Sequence, residues 1–375
     1  MIVELHMLQN FAPSCLNRDD TNSPKECQFG GYRRARISSQ CIKRAIREDF
    51  KRNLSLPPDF TAARSKHFVA TLTDRLTKAG KAPGQAQDVA IKAMKGMGLG
   101  LEKDNATQYL LYLGEQELNN IAEVILAKWS DWEAADAKGK TGKEKSELGK
   151  KLNELLDGGK AVDLALFGRM LADLPDKNID AACQVAHAIS TNKVNVEFDF
   201  YTAVDDLRPK EETGAGMMGS IEFNSACYYR YANIDMTQLK ENLGGDTELS
   251  NKAVEAFLRA SVSAIPTGKQ SSMASPNPPE FILAVVREAG AWSLANAFAK
   301  PVWAGSNGNL VQQSITALVN YWSRLVKVYG DKGIKATPAV ALHDAELTGL
   351  TAVENLDKLI EEVLNTIGHQ SRKEG

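Results

Sequence analysis

Between Tyr32 and Arg47 the chain carries Arg33, Arg34, Arg36, Lys43, Arg44 and Arg47 and no acidic side chain, although its formal net charge is only -2. A local excess of positive charge in a nearly neutral chain is the chemistry of a polyanion site, most simply a phosphate backbone. Phe29-Gly30-Gly31 permits a tight turn, because glycine tolerates positive φ. Arg34 and Arg36 then fall on one side of a short strand, with Ala35 and Ile37 on the other. Ser38-Ser39 is an N-cap signal for a helix whose apolar face is Ile42, Ala45 and Ile46. Gln40, Lys43, Arg44, Arg47 and Lys51 line its other face, and the free N–H groups at the helix start suit a phosphate. The ordinary alternative is a solvated basic face, but such faces usually mix signs.

Aromatic residues form a second constellation. Two strand-like runs, Val194 to Val204 and Ile221 to Ile234, flank a loop rich in charge and glycine and read as a hairpin. Phe198 and Phe200 share one face of the first arm, with Tyr201 on the other, and the second arm holds Tyr228, Tyr229, Arg230 and Tyr231. Aromatics interleaved with arginine suit base stacking and phosphate contact. A cross-strand aromatic cluster is the competing reading, and Tyr229 and Tyr231 are expected in the core. Lys269, beside Gly268, is a further phosphate candidate, against which stands a solvated loop lysine. The tract containing Lys138, Lys140, Lys143, Lys145, Lys150 and Lys151 could attract duplex DNA through salt-sensitive contacts, or could simply be a solvated linker.

Other motifs carry less. Gly214 to Gly219 fits GxGxxG but opens a strand instead of a helix, so it is no dinucleotide site. Asp19-Asp20 and Asp205-Asp206 could be metal ligands of a nuclease, yet adjacent strand residues point to opposite faces. His6, His67, His187, His343 and His369 show no ligand or triad spacing; His187 reads as a semi-buried residue on a helix from Ile179 to Ile189.

The elements that must position these residues read as α+β. Met1 opens into an alternating strand, Ile2 to Leu8, with no signal-peptide pattern. Thr61 to Leu156 reads as almost wholly helical, a block of the kind an inserted domain forms. Val162, Leu164 and Leu166 suggest a strand ending at Gly168-Arg169-Met170, and Phe281 to Val286 another. Helices are expected near Val311 to Val328 and Val353 to Ile367. Apolar content of 43% and charged content of 25% fit a soluble globular chain with no run long enough to span a membrane. Cys15, Cys27, Cys41, Cys183 and Cys227 lack CxxC spacing, pointing to free thiols and a reducing, cytoplasmic setting.

Pro13 to Asp20, Phe29-Gly30-Gly31, Arg34, Arg36 to Gln40 and Lys43-Arg44 resemble the N-terminus of the CasC-type backbone subunit of type I-E CRISPR Cascade. The resemblance continues, in order, through Gly168-Arg169-Met170, Ala186-His187-Ala188-Ile189, Phe200 to Leu207, Tyr229 to Ile234, Asn242 to Gly245, Gly268-Lys269-Gln270, Asn277-Pro278 and Leu294 to Phe298. It implies a modified RRM-like (ferredoxin-like) palm with an inserted helical fingers domain and a β-hairpin thumb. Palm segments would lie at 1–55, 161–193 and 235–375, fingers at 56–160 and thumb at 194–234. It also implies a non-enzymatic subunit without cofactor or membrane. Its partners would be CRISPR RNA, the target DNA strand, further copies of itself and the other Cascade subunits. Arg18, Lys25, Arg34, Ser38, Gln40, Lys43, Arg44 and Arg47 would hold RNA phosphates, with Arg169, Met170 and Lys269 also in contact. Phe200 and Tyr201 would act on a neighbour's RNA, and Lys138, Lys140 and Lys143 on DNA. Base pairing then reads sequence while protein holds backbone and shape. The alternatives are a metal-dependent ribonuclease using Asp19 or Asp20, or a scaffold without nucleic acid.

Overall fold

A 13-residue strand, β1 (Ile2–Ser14), begins the chain and is buried along most of its length. The computed structural model describes residues 1–53, 57–134, 147–203, 217–305 and 309–371. After β1 come β2 (Glu26–Phe29), β3 (Tyr32–Ile37) and α1 (Ser39–Asn53). Next are β4 (Ala62–Ser65), α2 (Phe68–Lys78), α3 (Pro83–Gly96), β5 (Leu111–Gly114), α4 (Glu115–Ala127), α5 (Trp129–Ala134), α6 (Glu147–Glu154) and α7 (Val162–Phe167). They are followed by β6 (Cys183–Val185), β7 (Ala188–Ser190), β8 (Glu197–Ala203), β9 (Met217–Asp235), α8 (Met236–Asn242), α9 (Thr247–Ser263) and α10 (Gln270–Met273). β10 (Phe281–Arg287), α11 (Leu310–Tyr329), β11 (Ile334–Ala336), β12 (Pro338–Ala341), β13 (Thr351–Ala352) and α12 (Leu356–Ser371) complete the order. The class is α+β, as the mixed pattern of strands and helices implies.

Two compact units emerge. One takes Met1–Asp49, Gln184–Ile234 and the chain from Val254 onward; the other takes Phe50–Cys183 and Asp235–Ala253. The first is built on a sheet of order β13-β12-β10-β1-β9-β7-β3-β2, with β6, β8 and β11 paired off that path. β1 runs antiparallel to β10 from Ile2 opposite Arg287 to Leu8 opposite Phe281. On one face Leu8, Phe281, Leu283 and Val285 pack with Val311, Ile315, Leu318 and Trp322.

Val3, Leu5 and Met7 are buried, but so are Glu4 and His6 between them. The alternating pattern of this strand therefore marks two covered faces and not one wet face. Each of the two polar side chains finds at least one partner, although His6 Nε2 has none among the described residues. Tyr231 Oη donates to Glu4 across 3.0 Å, and the Arg287 guanidinium lies 3.5 Å from the same carboxylate and 3.8 Å over the Trp292 ring. Burial pushes the Glu4 carboxyl up, against the Trp292 N–H and Arg287. Tyr229 Oη accepts from Leu294 N at 2.8 Å and meets His6 Nδ1 at 2.9 Å. Burial drives His6 down to about 3, so its ring is neutral.

The second unit has its own core, with Phe68, Leu72, Leu76, Val89, Met94, Ile121, Ile125, Trp132, Leu152 and Leu156 among its buried members. It is not purely helical: β4 and β5 pair antiparallel from Ala62–Gly114 to Ser65–Leu111. Two sequence expectations need correction. Val162–Phe167 is a helix, with Ala165 N bonded to Ala161 O and Gly168 N to Leu164 O. Every residue from Val162 to Leu166 is buried, so the alternation of large apolar residues there reported no exposed face. Conversely, the stretch expected as helix from Ile179 to Ile189 contains β6 and β7. Ile189 and Ser190 pair with Tyr229 and Tyr228 of β9, and this tertiary pairing overrides local helix preference.

Candidate nucleic-acid interface

The N-terminus of α1 gathers charge from several chain segments. Asn17 Oδ1 accepts from Ser38 N at 2.8 Å, while Lys25 N bonds Asn17 O at 2.9 Å and Arg36 N bonds Lys25 O at 2.8 Å. The loop from Asn17 to Lys25 is thus strapped along β3 to the helix start. Ser38 Oγ accepts from Cys41 N at 3.3 Å, the cap its sequence position suggests. Lys25 lies close enough to bear, together with Arg44, on the Cys41 thiol and, together with Arg36, on the His187 ring. Arg18 and Lys269 both bear on Cys15. Gly268 makes that approach possible, because a Cβ there would come within 2.4 Å of Leu16 O. Lys269 itself adopts the left-handed conformation at φ 53.

Along α1, Ile42, Ile46 and Phe50 are buried, whereas Gln40 and Arg44 are exposed and Lys43 and Arg47 half-buried. Arg36 bonds the Glu26 carbonyl and His187, and Arg18 the Asn22 amide oxygen. Among the described residues none of Arg18, Lys25, Arg36 and Arg44 is ion-paired to a carboxylate. Arg33, by contrast, is engaged with Glu26 at 2.7 Å.

Two expected contacts sit in the interior instead. Arg34 is fully buried; its Nη1 donates to Ser190 O and Thr191 O at 3.0 and 2.7 Å, its Nη2 to Phe298 O and Ala299 O at 2.6 and 3.3 Å. Arg34 and Arg36 stand two residues apart on one face of β3, but Ser190, Thr191, Phe298 and Ala299 close over Arg34 alone, which therefore ties chain segments together and is closed to a phosphate. Arg169 is likewise buried. Its Nη1 lies 2.8 and 2.9 Å from the two oxygens of Glu117, and it also donates to Leu156 O and Lys177 O. Met170, one residue on, is 83% exposed and free to touch a ligand.

The hairpin divides in the same way. β8 is exposed throughout and pairs with β9 from Glu197–Phe223 to Ala203–Met217. Phe198 and Phe200 stand opposite Glu222 and Ser220, with Phe200 66% exposed. Tyr201 faces Gly219 across the pair and is less exposed. Further along β9, Tyr228, Tyr229, Arg230 and Tyr231 are all buried. Arg230 Nη1 donates to Gln9 Oε1 at 2.6 Å, and burial holds its pKa down at about 10. The aromatics of the second arm are core, and those of the first are surface.

A protein-family model described as CT1975-like protein matches residues 3–365. The chain belongs to the CT1975-like family. Among solved structures, a chain of a "CRISPR RNA-guided surveillance complex, pre-nicking" is 32% identical with a TM-score of 0.87, over 97% of this chain and 99% of that one. A chain of another "CRISPR RNA-guided surveillance complex" is 26% identical with a TM-score of 0.76, again over 97% and 99%. No curated protein matches the sequence.

In this CT1975-like chain Asp19 is engaged within its own loop. Asp19 Oδ1 accepts from Thr21 N, Thr21 Oγ1 and Ser23 N, a turn-closing arrangement that holds the carboxyl below its ordinary value. Among the described residues no group of three or more His, Cys, Asp or Glu side chains is arranged to hold a metal ion. Asp205, Asp206, Lys138, Lys140 and Lys143 lie outside the described residues. No described helix is long and apolar enough to cross a membrane. His187, expected semi-buried on a helix, instead joins the site, exposed beside the start of α1. The family-like string Ala186-His187-Ala188-Ile189 was its only sequence signal.

Proposed function

We propose that the chain is the CRISPR RNA-binding backbone subunit of an RNA-guided surveillance complex, of the type I-E Cascade kind. The observation that carries this is the gathering of Arg18, Lys25, Arg36, Arg44 and Lys269 around the α1 N-terminus, the first four without carboxylate partners among the described residues. Fixed cations and free helix N–H groups bind successive phosphates with no reference to sequence. Lys43, Arg47 and Gln40 extend the same face down the helix. Copies of the chain line up along the spacer RNA in the cytoplasm, and the exposed aromatics of β8 stack against bases of a neighbouring copy's RNA. The target DNA strand pairs with the RNA so presented, and the other Cascade subunits are its further partners.

The subunit holds RNA and does not cut it. Support comes from Asp19, whose Oδ1 is taken up by Thr21 and Ser23 in closing a turn. The test is expression with a CRISPR array and its processing enzyme, followed by sequencing of the RNA that co-purifies. Spacer-derived RNA of uniform length, intact after incubation with magnesium, is the expected result. Shortened RNA whose cleavage disappears in Asp20→Asn would replace this reading with a ribonuclease. Absence of RNA would mean the basic face meets another partner.

A further inference from the structure

His187 lies in the turn between β6 and β7. Its Nδ1 is 3.2 Å from Arg36 Nη1 and 3.4 Å from the backbone nitrogen of Ser39. A guanidinium and a backbone N–H can only donate. Nδ1 must therefore accept from both, and the single ring proton belongs to Nε2. A second proton would set N–H against N–H. Desolvation, and then the charges of Arg36 and Lys25, hold the ring's pKa below its ordinary value. Nε2–H is a donor with no partner among the described residues, on an exposed side chain at the mouth of the cationic cluster.

We infer that His187 is an uncharged hydrogen-bond donor to the RNA backbone, its Nε2–H meeting a phosphate oxygen held at the α1 N-terminus. The inference rests on the RNA-binding reading above. It assigns the ring a job the cations cannot do. Lysine and arginine attract the phosphate through charge, whereas a fixed N–H on a ring pinned at Nδ1 selects one orientation of it. Arg36 and Ser39 act as the positioning groups.

The test uses the full-length chain and a fluorescently labelled, mixed-sequence single-stranded RNA, with affinity measured across a salt series. His187→Ala should weaken binding about ten-fold, the scale of one hydrogen bond to a charged group. The salt slope should stay that of the wild type, since no cation is removed. His187→Asn keeps an acceptor for Ser39 N and Arg36 and removes the donor at the Nε2 position, so it should bind as weakly as His187→Ala. An Asn variant with wild-type affinity would reduce His187 to a positioning role and overturn the inference. An unchanged Ala variant would overturn it too. Lys43→Ala, run alongside, separates the two levels of argument. If the wild type binds without salt dependence and Lys43→Ala changes nothing, the RNA reading itself falls; if Lys43→Ala flattens the slope while His187→Ala is silent, only the assignment of His187 falls.

Discussion

Glu117 and Arg169 form a buried pair in which one guanidinium nitrogen meets both carboxylate oxygens, at 2.8 and 2.9 Å. The oxygens also accept the backbone N–H groups of Gly114 and Gly158, each at 2.7 Å. The arginine spends its other donors on Leu156 O and Lys177 O. Both charges of the pair are thus satisfied, and breaking it from one side leaves the other charge stranded. Glu117→Gln should lower stability by about 3–5 kcal/mol, read as the midpoint shift in chemical denaturation.

Arg34 makes a comparable prediction in the first unit. Arg34→Lys keeps the charge but supplies one nitrogen where two reached four carbonyls. The expected loss is about 3 kcal/mol, with the salt slope of RNA binding unchanged. A changed slope at wild-type stability would return Arg34 to the phosphate contacts.

Ser38 and Lys43 should separate stability from binding. Ser38 Oγ caps Cys41 N, so Ser38→Ala should cost about 1 kcal/mol of stability. Lys43→Ala should leave the melting temperature near the wild type and reduce the salt slope of RNA binding by about one unit. Thermal melts and a salt titration on the same samples check both.

Phe200→Ala removes a ring that is 66% exposed, so stability should move by no more than about 0.5 kcal/mol. Binding of RNA in the assembled complex should weaken by about 1–3 kcal/mol for each base stacked on it. Tyr229→Ala is the contrast, since its hydroxyl joins His6 to Leu294 N within the core; it should fail by unfolding.

His6 should make the protein acid-sensitive. Its folded pKa is about 3 because burial disfavours the charged ring, whereas an unfolded histidine titrates near about 6.5. A depressed value means the unfolded chain binds the proton first, so this contribution is complete above the unfolded value and is lost as pH falls from there toward 3. Near about pH 5.5 the loss is about 1–2 kcal/mol. Glu4, whose pKa is raised by burial, acts in the opposite sense, its contribution fading as pH rises. The difference in stability between wild type and His6→Gln, followed over this range, isolates the histidine.

Much of the site was legible because it is local. The turn, strand, cap and amphipathic helix from Phe29 to Arg47 lie contiguous in the chain, and the structure keeps β3, Ser38 and α1 where their residue types suggest. What was not legible depends on depth. Arg34 and Arg36 share a sequence parity, yet one is walled in by Ser190, Thr191, Phe298 and Ala299, segments remote along the chain. Glu4 and His6 look like the wet side of a strand until Tyr229, Tyr231 and Trp292 are placed over them. Val162–Phe167 misled for the same reason: a helix buried all round has no polar face to betray its period. His187 reads from the sequence as a semi-buried helix residue because the neighbours that define its surroundings, Arg36 and Ser39, lie about 150 residues away.

The strap from Asn17 through Lys25 has a thermodynamic consequence. Asn17 locks to Ser38, and Lys25 to both Asn17 and Arg36, through bonds that involve no ligand. The cations borne by separate stretches of chain are therefore set in place when the protein folds. Little backbone entropy is left to be lost when a phosphate arrives, so the loop contributes to affinity through preorganisation. Such binding lacks the large negative heat-capacity change of a segment that folds on its partner, and each encounter can be captured at close to the rate at which charge steers it in.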